Sequence, residues 1–202
     1  MLTIALPKGR IAEETLEKFE KAFGEKFVFE NRKLILEKAG FRFLNVRNQD
    51  VPTYVMHGAA DLGVVGQDVL EEKEYDLIKM LNLNIGKCKV AFGLRKGEQL
   101  DMTKSKITVA TKHEKIAKKY FEEKAMAVEI IKLYGSIELA PLVGLSDCIV
   151  DIVETGETMK QNGLEVGPTI MESSAHLIAN KNAFYAKKDL IFDLKEKIEA
   201  TM

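Results

Sequence analysis

The sequence predicts an α/β fold with mostly parallel sheet, and three observations carry that expectation. Short apolar runs alternate along the chain with segments whose apolar residues recur at helical spacing. Turns rich in Gly, Pro or charge separate the two kinds of segment. The composition, 46% hydrophobic and 30% charged, is that of an ordinary globular chain.

The elements follow in order. Residues 2–6 (LTIAL) form a buried strand, punctuated by Pro7, Lys8, Gly9 and Arg10. Ile11, Leu16, Phe19 and Phe23 then mark a helix that Gly24 ends. Residues 31–39 are expected to be a second short helix, stopped by Gly40, and residues 41–46 a strand. After the polar stop at 47–50, Pro52 suits the first turn of a helix over 51–57, where a missing N–H costs nothing. Residues 61–65 form a strand, and 66–68 lead into a helix ending near Lys73. Strands are expected at 77–83, 89–95, 107–110, 128–133 and 148–153. Helices are expected at 113–124, within 136–143 and from 154 to 162, an extended run at 166–174, and a closing helix over 186–200. The chain is expected to form two lobes, residues 1–88 with 177–202 and residues 89–176. ADLGVVGQDVL (60–70) and SDCIVDIVETGETM (146–159) echo one another across that division, each running acid, strand, Gly-containing turn, helix.

The balance of charge excludes several functions. A net charge of −1 over 202 residues gives no surplus to neutralise a phosphate backbone, so no nucleic-acid partner is expected. Cys88 and Cys148 are far apart and stand in no metal-binding pattern, and they read as thiols in a reducing compartment. Residues 2–6 are too short for a signal-peptide core, and no run approaches the ~18 apolar residues of a membrane helix. A soluble, cytoplasmic chain is the expectation.

Four charged turns fall at predicted strand ends, where ligands of α/β sheets bind. In the first, an apolar strand delivers Asp151 and Glu154, and Thr155, Gly156, Glu157 and Thr158 open a helix. Gly156 lets backbone approach closely, successive N–H groups favour an anion, and the threonines add hydroxyl donors. Asp151 and Glu154 suit sugar hydroxyls or a magnesium ion. A plain turn with Thr155 as cap is the competing reading. Lys8, Gly9 and Arg10 suit a polyphosphate or a solvated basic turn. Arg47 to Asp50 and Gly66 to Asp68 are the third and fourth turns, and each alone also reads as a turn with a cap. Glu138 is either a capping acid for Ser136 or a site carboxylate. His57, His113 and His176 stand at no catalytic spacing and read as surface or cap residues.

LTIALPKGRI (2–11), RNQDVPTYVMHGAADLGVVGQDVL (47–70), YGSIELAPLVGLSDCIVDIVETGETMKQNGL (134–164) and ESSAHLIAN (172–180), in this order and spacing, resemble the short form of the ATP phosphoribosyltransferase family nearly end to end. The resemblance implies a two-lobed fold like the type II periplasmic binding proteins, with the active site in the cleft between lobes. It implies Mg²⁺-dependent condensation of ATP with phosphoribosyl pyrophosphate (PRPP), the first step of histidine biosynthesis. By that resemblance Asp151, Glu154, Thr155, Gly156, Glu157 and Thr158 bind PRPP. Lys8, Gly9, Arg10, Asp68 and Glu138 line the ATP and pyrophosphate side, and Arg47 and Arg32 are the catalytic residues that meet the leaving pyrophosphate. It further implies a homodimer within a hetero-octamer, a regulatory partner subunit related to histidyl-tRNA synthetase, and no C-terminal regulatory domain. A ligand-sensing module of the same fold and a phosphoribosyltransferase acting on another base are the alternatives. Release of pyrophosphate and acceptance of ATP distinguish them.

Overall fold

Two sheets, each with apolar cores on both faces, bury most of the apolar runs. They were located in a computed structural model that describes residues 1–30 and 32–202. The chain divides into one unit of Met1–Gly86 with Ser174–Met202 and a second of Lys87–Ser173.

The first unit is built on β1 (Leu2–Pro7), which lies between β3 (Phe41–Val46) and β4 (Leu62–Gly66) and runs parallel to both. A parallel strand covered on both faces reads as a continuous apolar run, as LTIAL does. On one face α1 (Arg10–Phe23) and the closing helix α8 (Lys188–Glu199) bury Leu16, Phe19, Ile191 and Leu194 against Ile4, Leu6 and Phe43. On the other, α2 (Val51–Met56) sets Val51 and Val55 against Ala5, Val65 and Ile178. Helix α3 (Gln67–Glu72) follows β4 directly.

Two expectations are corrected. The helix expected over 31–39 is instead a strand, β2 (Ile35–Lys38), antiparallel to β3; Asn31 lies outside the described residues. Ala39 (φ 50°) and Gly40 (φ 80°) link the two strands, both in the left-handed region that a tight two-residue hairpin demands. Apolar Leu34, Ile35 and Leu36 suit either period, and this turn decides between them. Nor are the sheets mostly parallel. Strand β11 (Ala175–Ala179) runs antiparallel to β4 and to β5 (Ile78–Asn82), completing the order β2-β3-β1-β4-β11-β5. In the second unit β6 (Cys88–Arg95) is antiparallel to both β9 (Cys148–Val153) and β10 (Leu164–Ser173). Only β7 (Ile107–Thr111), between β8 (Val128–Lys132) and β9, keeps the parallel pattern there, giving β10-β6-β9-β7-β8. The antiparallel strands β6, β10 and β11 flank the two points where the chain passes between units.

The second unit repeats the device of the first. Helix α4 (Glu114–Glu123) packs Ile116 and Phe121 on Phe92 and Val109. On the opposite face, Ile137 and Ala140, around α5 (Leu139–Leu142), and Met159 of α6 (Glu157–Gln161) meet Ile149 and Val153. The sequence echo has a physical counterpart. Asp61 accepts the N–H of Thr3 at 2.8 Å and returns its own N–H to the Thr3 carbonyl at 2.8 Å. Asp147 does the same with Thr108, at 2.8 and 2.9 Å. Each acid also holds a lysine, Lys187 and Lys104 respectively, both at 2.7 Å. One aspartate thus sets the register of each central parallel pair.

Asn180 joins three elements of the first unit. It accepts the N–H of Ala183 at 2.9 Å, capping α7 (Lys181–Ala186), and donates to the Val55 carbonyl at 2.8 Å. Among the described residues no helix is long and apolar enough to cross a membrane. Cys88 and Cys148 are unbridged, and burial pushes the Cys148 thiol up to about 12, leaving it inert at neutral pH.

Candidate active site

In the second unit, β9 ends in the turn 154–156 and α6 begins at Glu157. Gly156 takes the left-handed conformation (φ 80°, ψ 0°), and a Cβ there would stand 2.8 Å from Cγ2 of Val166. Glycine is therefore required twice over at this position, by backbone and by space. Thr155 Oγ1 accepts the N–H of Glu157 at 3.3 Å, and Glu154, Thr155, Glu157 and Thr158 are all exposed. Beside them lies a groove of about 650 Å³, lined by Thr155, Gly156, Glu157 and Val166 together with Lys96 and Lys160.

Asp151, on β9 itself, is largely covered, with 15% of its side chain exposed. Its Oδ1 accepts the N–H of Ile152 at 2.8 Å and stands 3.0 Å from Lys112 Nζ and 3.7 Å from His113 Nε2. Burial drives this carboxyl up, but His113, Lys112 and the Ile152 N–H outweigh it and hold it below the usual carboxylate range. Lys112 is absent from the sequence prediction, and His113 is expected there only as a surface or cap residue. His113 does occupy a cap position, ahead of α4, but it is buried rather than on the surface. The signal was present: Thr111-Lys112-His113-Glu114 stands between a strand and a helix, as Pro7-Lys8-Gly9-Arg10 does. His57 ends α2, exposed. His176 is buried on β11, and burial pushes its imidazole below the ordinary value.

Glu138 is half-buried at the start of α5 and makes no side-chain cap, so the capping expectation with Ser136 is not met. Ser136 sits at φ 49°, which aims the turn away from capping-box geometry.

In the first unit, the carboxyl ends of β3, β1 and β4 gather the other candidates. Pro7 and Val46 are register partners, so the residues that follow them, Lys8 and Arg47, leave adjoining strands at the same end. The Lys8 N–H donates to the Val46 carbonyl at 2.8 Å, fixing that relation. Gly9 adopts φ 93°, ψ −152° and offers its carbonyl to Ala12 and Glu13, starting α1. Arg10 is exposed, 3.6 Å from Glu14. Arg47, also exposed, caps a single 3-10 turn over Asn48–Asp50. Asp68 is 2% exposed in the first turn of α3. Nearby chain carries half-buried Asn45 and Asn48, whose buried Oδ1 atoms lack hydrogen-bond partners among the described residues. Arg32 is exposed. It precedes Leu34, whose carbonyl accepts the Asn45 N–H at 2.8 Å, so it belongs to the same end of the sheet as Arg47.

Asp147 gives the second unit an acid sensitivity. Its bond to Lys104, then the Thr108 N–H, hold its carboxyl below the ordinary value, as Asp151 is also held. A carboxyl lowered by folding stabilises the folded state at pH above its unfolded value and loses that contribution as pH falls through the folded one. Stability is therefore expected to be level above about pH 4 and to fall below it. Asp147→Asn should flatten that slope in denaturant titrations at stepped pH; an unchanged slope would remove Asp147 from the explanation.

Among the described residues, no three His, Cys, Asp or Glu side chains gather as a metal cage. The family profile described as ATP phosphoribosyltransferase matches residues 47–200. A protein of that name from Sulfurovum is 65% identical over 202 residues, covering 100% of this chain and 98% of that one. Among solved structures, the ATP phosphoribosyl transferase (HisG:HisZ) complex from Thermotoga maritima has a chain 36% identical, with a TM-score of 0.83 over 100% of this chain and 98% of that one. The periplasmic aliphatic sulphonate binding protein of Escherichia coli, at 12% identity, shares the fold with a TM-score of 0.64, covering 99% of this chain and 72% of its own. The fold is thus that of the two-lobed periplasmic binding proteins, and the chain belongs to the ATP phosphoribosyltransferase family, the enzymes of the first step of histidine biosynthesis.

Proposed function

We propose that the strand-end clusters divide the two substrates between them. The turn after β9 takes PRPP: Thr155, Gly156, Glu157 and Thr158 hold the 5-phosphate through backbone N–H groups and hydroxyls, while Asp151 and Glu154 accept from the ribose hydroxyls. Lys8, Gly9 and Arg10, with Asp68 and Glu138, line the ATP and pyrophosphate side. Arg47 and Arg32 meet the departing pyrophosphate. The observation that carries this reading is the Thr155–Gly156 turn, with left-handed glycine and exposed hydroxyls at the end of an apolar strand.

The chemistry follows from charge. Adenine N1 attacks with its own lone pair, so no base is needed to create the nucleophile. The demanding event is rupture of the C1–O bond, whose electron pair leaves on pyrophosphate while positive charge grows on the ribose. Guanidinium and ammonium groups fixed where that negative charge develops lower the barrier. Magnesium fits as an ion carried on the pyrophosphate, because Mg²⁺ is commonly bound by one or two carboxylates plus substrate phosphates, and Asp151 and Glu154 supply carboxylates at one strand end. It would neutralise the leaving group.

The Thermotoga maritima relative stands in a two-component complex. By the same logic this chain takes a regulatory subunit related to histidyl-tRNA synthetase, in a hetero-octamer with dimeric catalytic units, and works in the cytoplasm where ATP and PRPP are made. The test is Mg²⁺-dependent pyrophosphate release from ATP plus PRPP, by the chain alone and with that subunit. Release needing both substrates and stimulated by the subunit is expected. Release from PRPP with another base, or indifference to the subunit, would overturn the corresponding part. Gly156→Ala is expected to raise KM for PRPP about tenfold and leave KM for ATP unchanged, since left-handed strain alone costs roughly 1–2 kcal/mol. A rise in both would argue against a phosphoribosyl role for the turn.

A further inference from the structure

One oxygen of Asp151 faces three nitrogen groups. The N–H of Ile152 reaches Oδ1 at 2.8 Å, and Lys112 Nζ and His113 Nε2 stand 3.0 and 3.7 Å from the same atom. Lys112 and His113 come from the end of β7, and that end is riveted to β9 immediately before Asp151. Thr111, the register partner of Val150, donates its hydroxyl to the Val150 carbonyl at 2.6 Å and accepts the His113 N–H at 2.8 Å. The lysine and the histidine are therefore held opposite Asp151 by backbone. His113 is 4% exposed, and its buried Nε2 has no hydrogen-bond partner among the described residues. Buried polar atoms are seldom left this way, because the unmade bond costs free energy, so a functional explanation is called for. A carboxylate with one oxygen drawn inward by these groups has the other oriented for an incoming donor.

We propose that Lys112 and His113 are positioning residues for PRPP: they fix Oδ1 of Asp151 so that Oδ2 accepts from the ribose hydroxyls, and His113 closes to hydrogen-bond distance when the sugar is in place. The inference rests on the reading that Asp151 meets the ribose. A purely structural pair would stabilise the unit and leave substrate discrimination alone. A positioning pair acts on one substrate.

Steady-state kinetics of the full chain with its partner subunit separates these cases. Lys112→Ala and His113→Ala should each raise KM for PRPP about tenfold, the loss expected for one hydrogen bond to a charged group, with kcat and KM for ATP within about twofold. Lys112→Arg and His113→Gln, which keep a donor, should recover most of the loss. Equal rises in both KM values, or no recovery by the donor-keeping variants, would overturn the proposal. Asp151→Asn run in parallel separates the two readings. If it weakens PRPP while Lys112→Ala and His113→Ala do not, the positioning role falls and the ribose role stands. If it leaves PRPP untouched, both fall. Should either alanine variant fail to fold, direct PRPP titration by calorimetry of Lys112→Met, which keeps the length of the side chain but no donor, decides, with wild-type affinity counting against the proposal.

Discussion

Replacing Arg47 by alanine is expected to lower kcat about 10²–10³-fold while changing KM for either substrate only about twofold, as removal of one charge-stabilising donor does in oxyanion-type sites. The argument begins with position. Arg47 follows β3 at the register step where Lys8 follows β1, so two cations leave neighbouring strands at one end of a parallel trio. Its backbone is fixed, because the Arg47 carbonyl accepts the Asp50 N–H at 2.9 Å and opens the 3-10 turn. The side chain itself is exposed and can reach a substrate. A cation that binds pyrophosphate more strongly as the C1–O bond breaks speeds the reaction, whereas one that binds PRPP equally before and during rupture only lowers KM. Arg47→Lys should recover part of the rate, since a point charge remains but the planar fork is lost. A large KM increase with kcat preserved would assign Arg47 to ground-state binding instead. The same pair of variants at Arg32 would rank the two arginines.

How far the site could be read in advance depended on how local each signal was. The turns at Lys8–Arg10 and Asp151–Thr158 announce themselves because strand, glycine and polar cluster are contiguous, and Gly9 and Gly156 both take a positive φ. The grouping of Lys112 and His113 with Asp151 is not legible because it is non-local: Asp151 lies some 40 positions away, and parallel pairing of β7 and β9 brings it beside them. The misread strand β2 failed for a local reason, as its apolar residues fit both periods and only the two positive φ values at 39 and 40 impose a hairpin. The mixed sheets were missed for a topological one. Ala175–Ala179 is buried, and apolar but for His176; a return to the first unit is expected from residue 177, but nothing local reveals that the returning strand runs antiparallel to β4 and β5.

Phe19→Ala is expected to cost about 3–5 kcal/mol of stability, the range for truncating a buried aromatic. Phe19 is 2% exposed, and its ring lies within 5.0 to 6.0 Å of Phe43, Phe41, Phe23 and Phe27. It is the one ring on α1 that reaches both Phe41 and Phe43 of β3, in edge-to-face contact with each, so truncation forfeits aromatic pairing as well as area. The loss falls on the first unit, which is assembled from two separate stretches of chain, while the second is one continuous segment with its own cores. Calorimetry should therefore show a melting transition lowered by on the order of 10–20 °C, with any separate transition of the second unit unmoved. Phe121→Ala, in the other unit, gives the reciprocal test, because Phe121 is fully buried against Phe92 and Tyr120. If both variants lower one shared transition by the same amount, the units unfold together and the continuity of the second confers no independence. If each lowers its own, the residues proposed to hold PRPP, Asp151 included, stay in place while the first unit is lost. PRPP should then still bind just above the first transition, where turnover has already stopped.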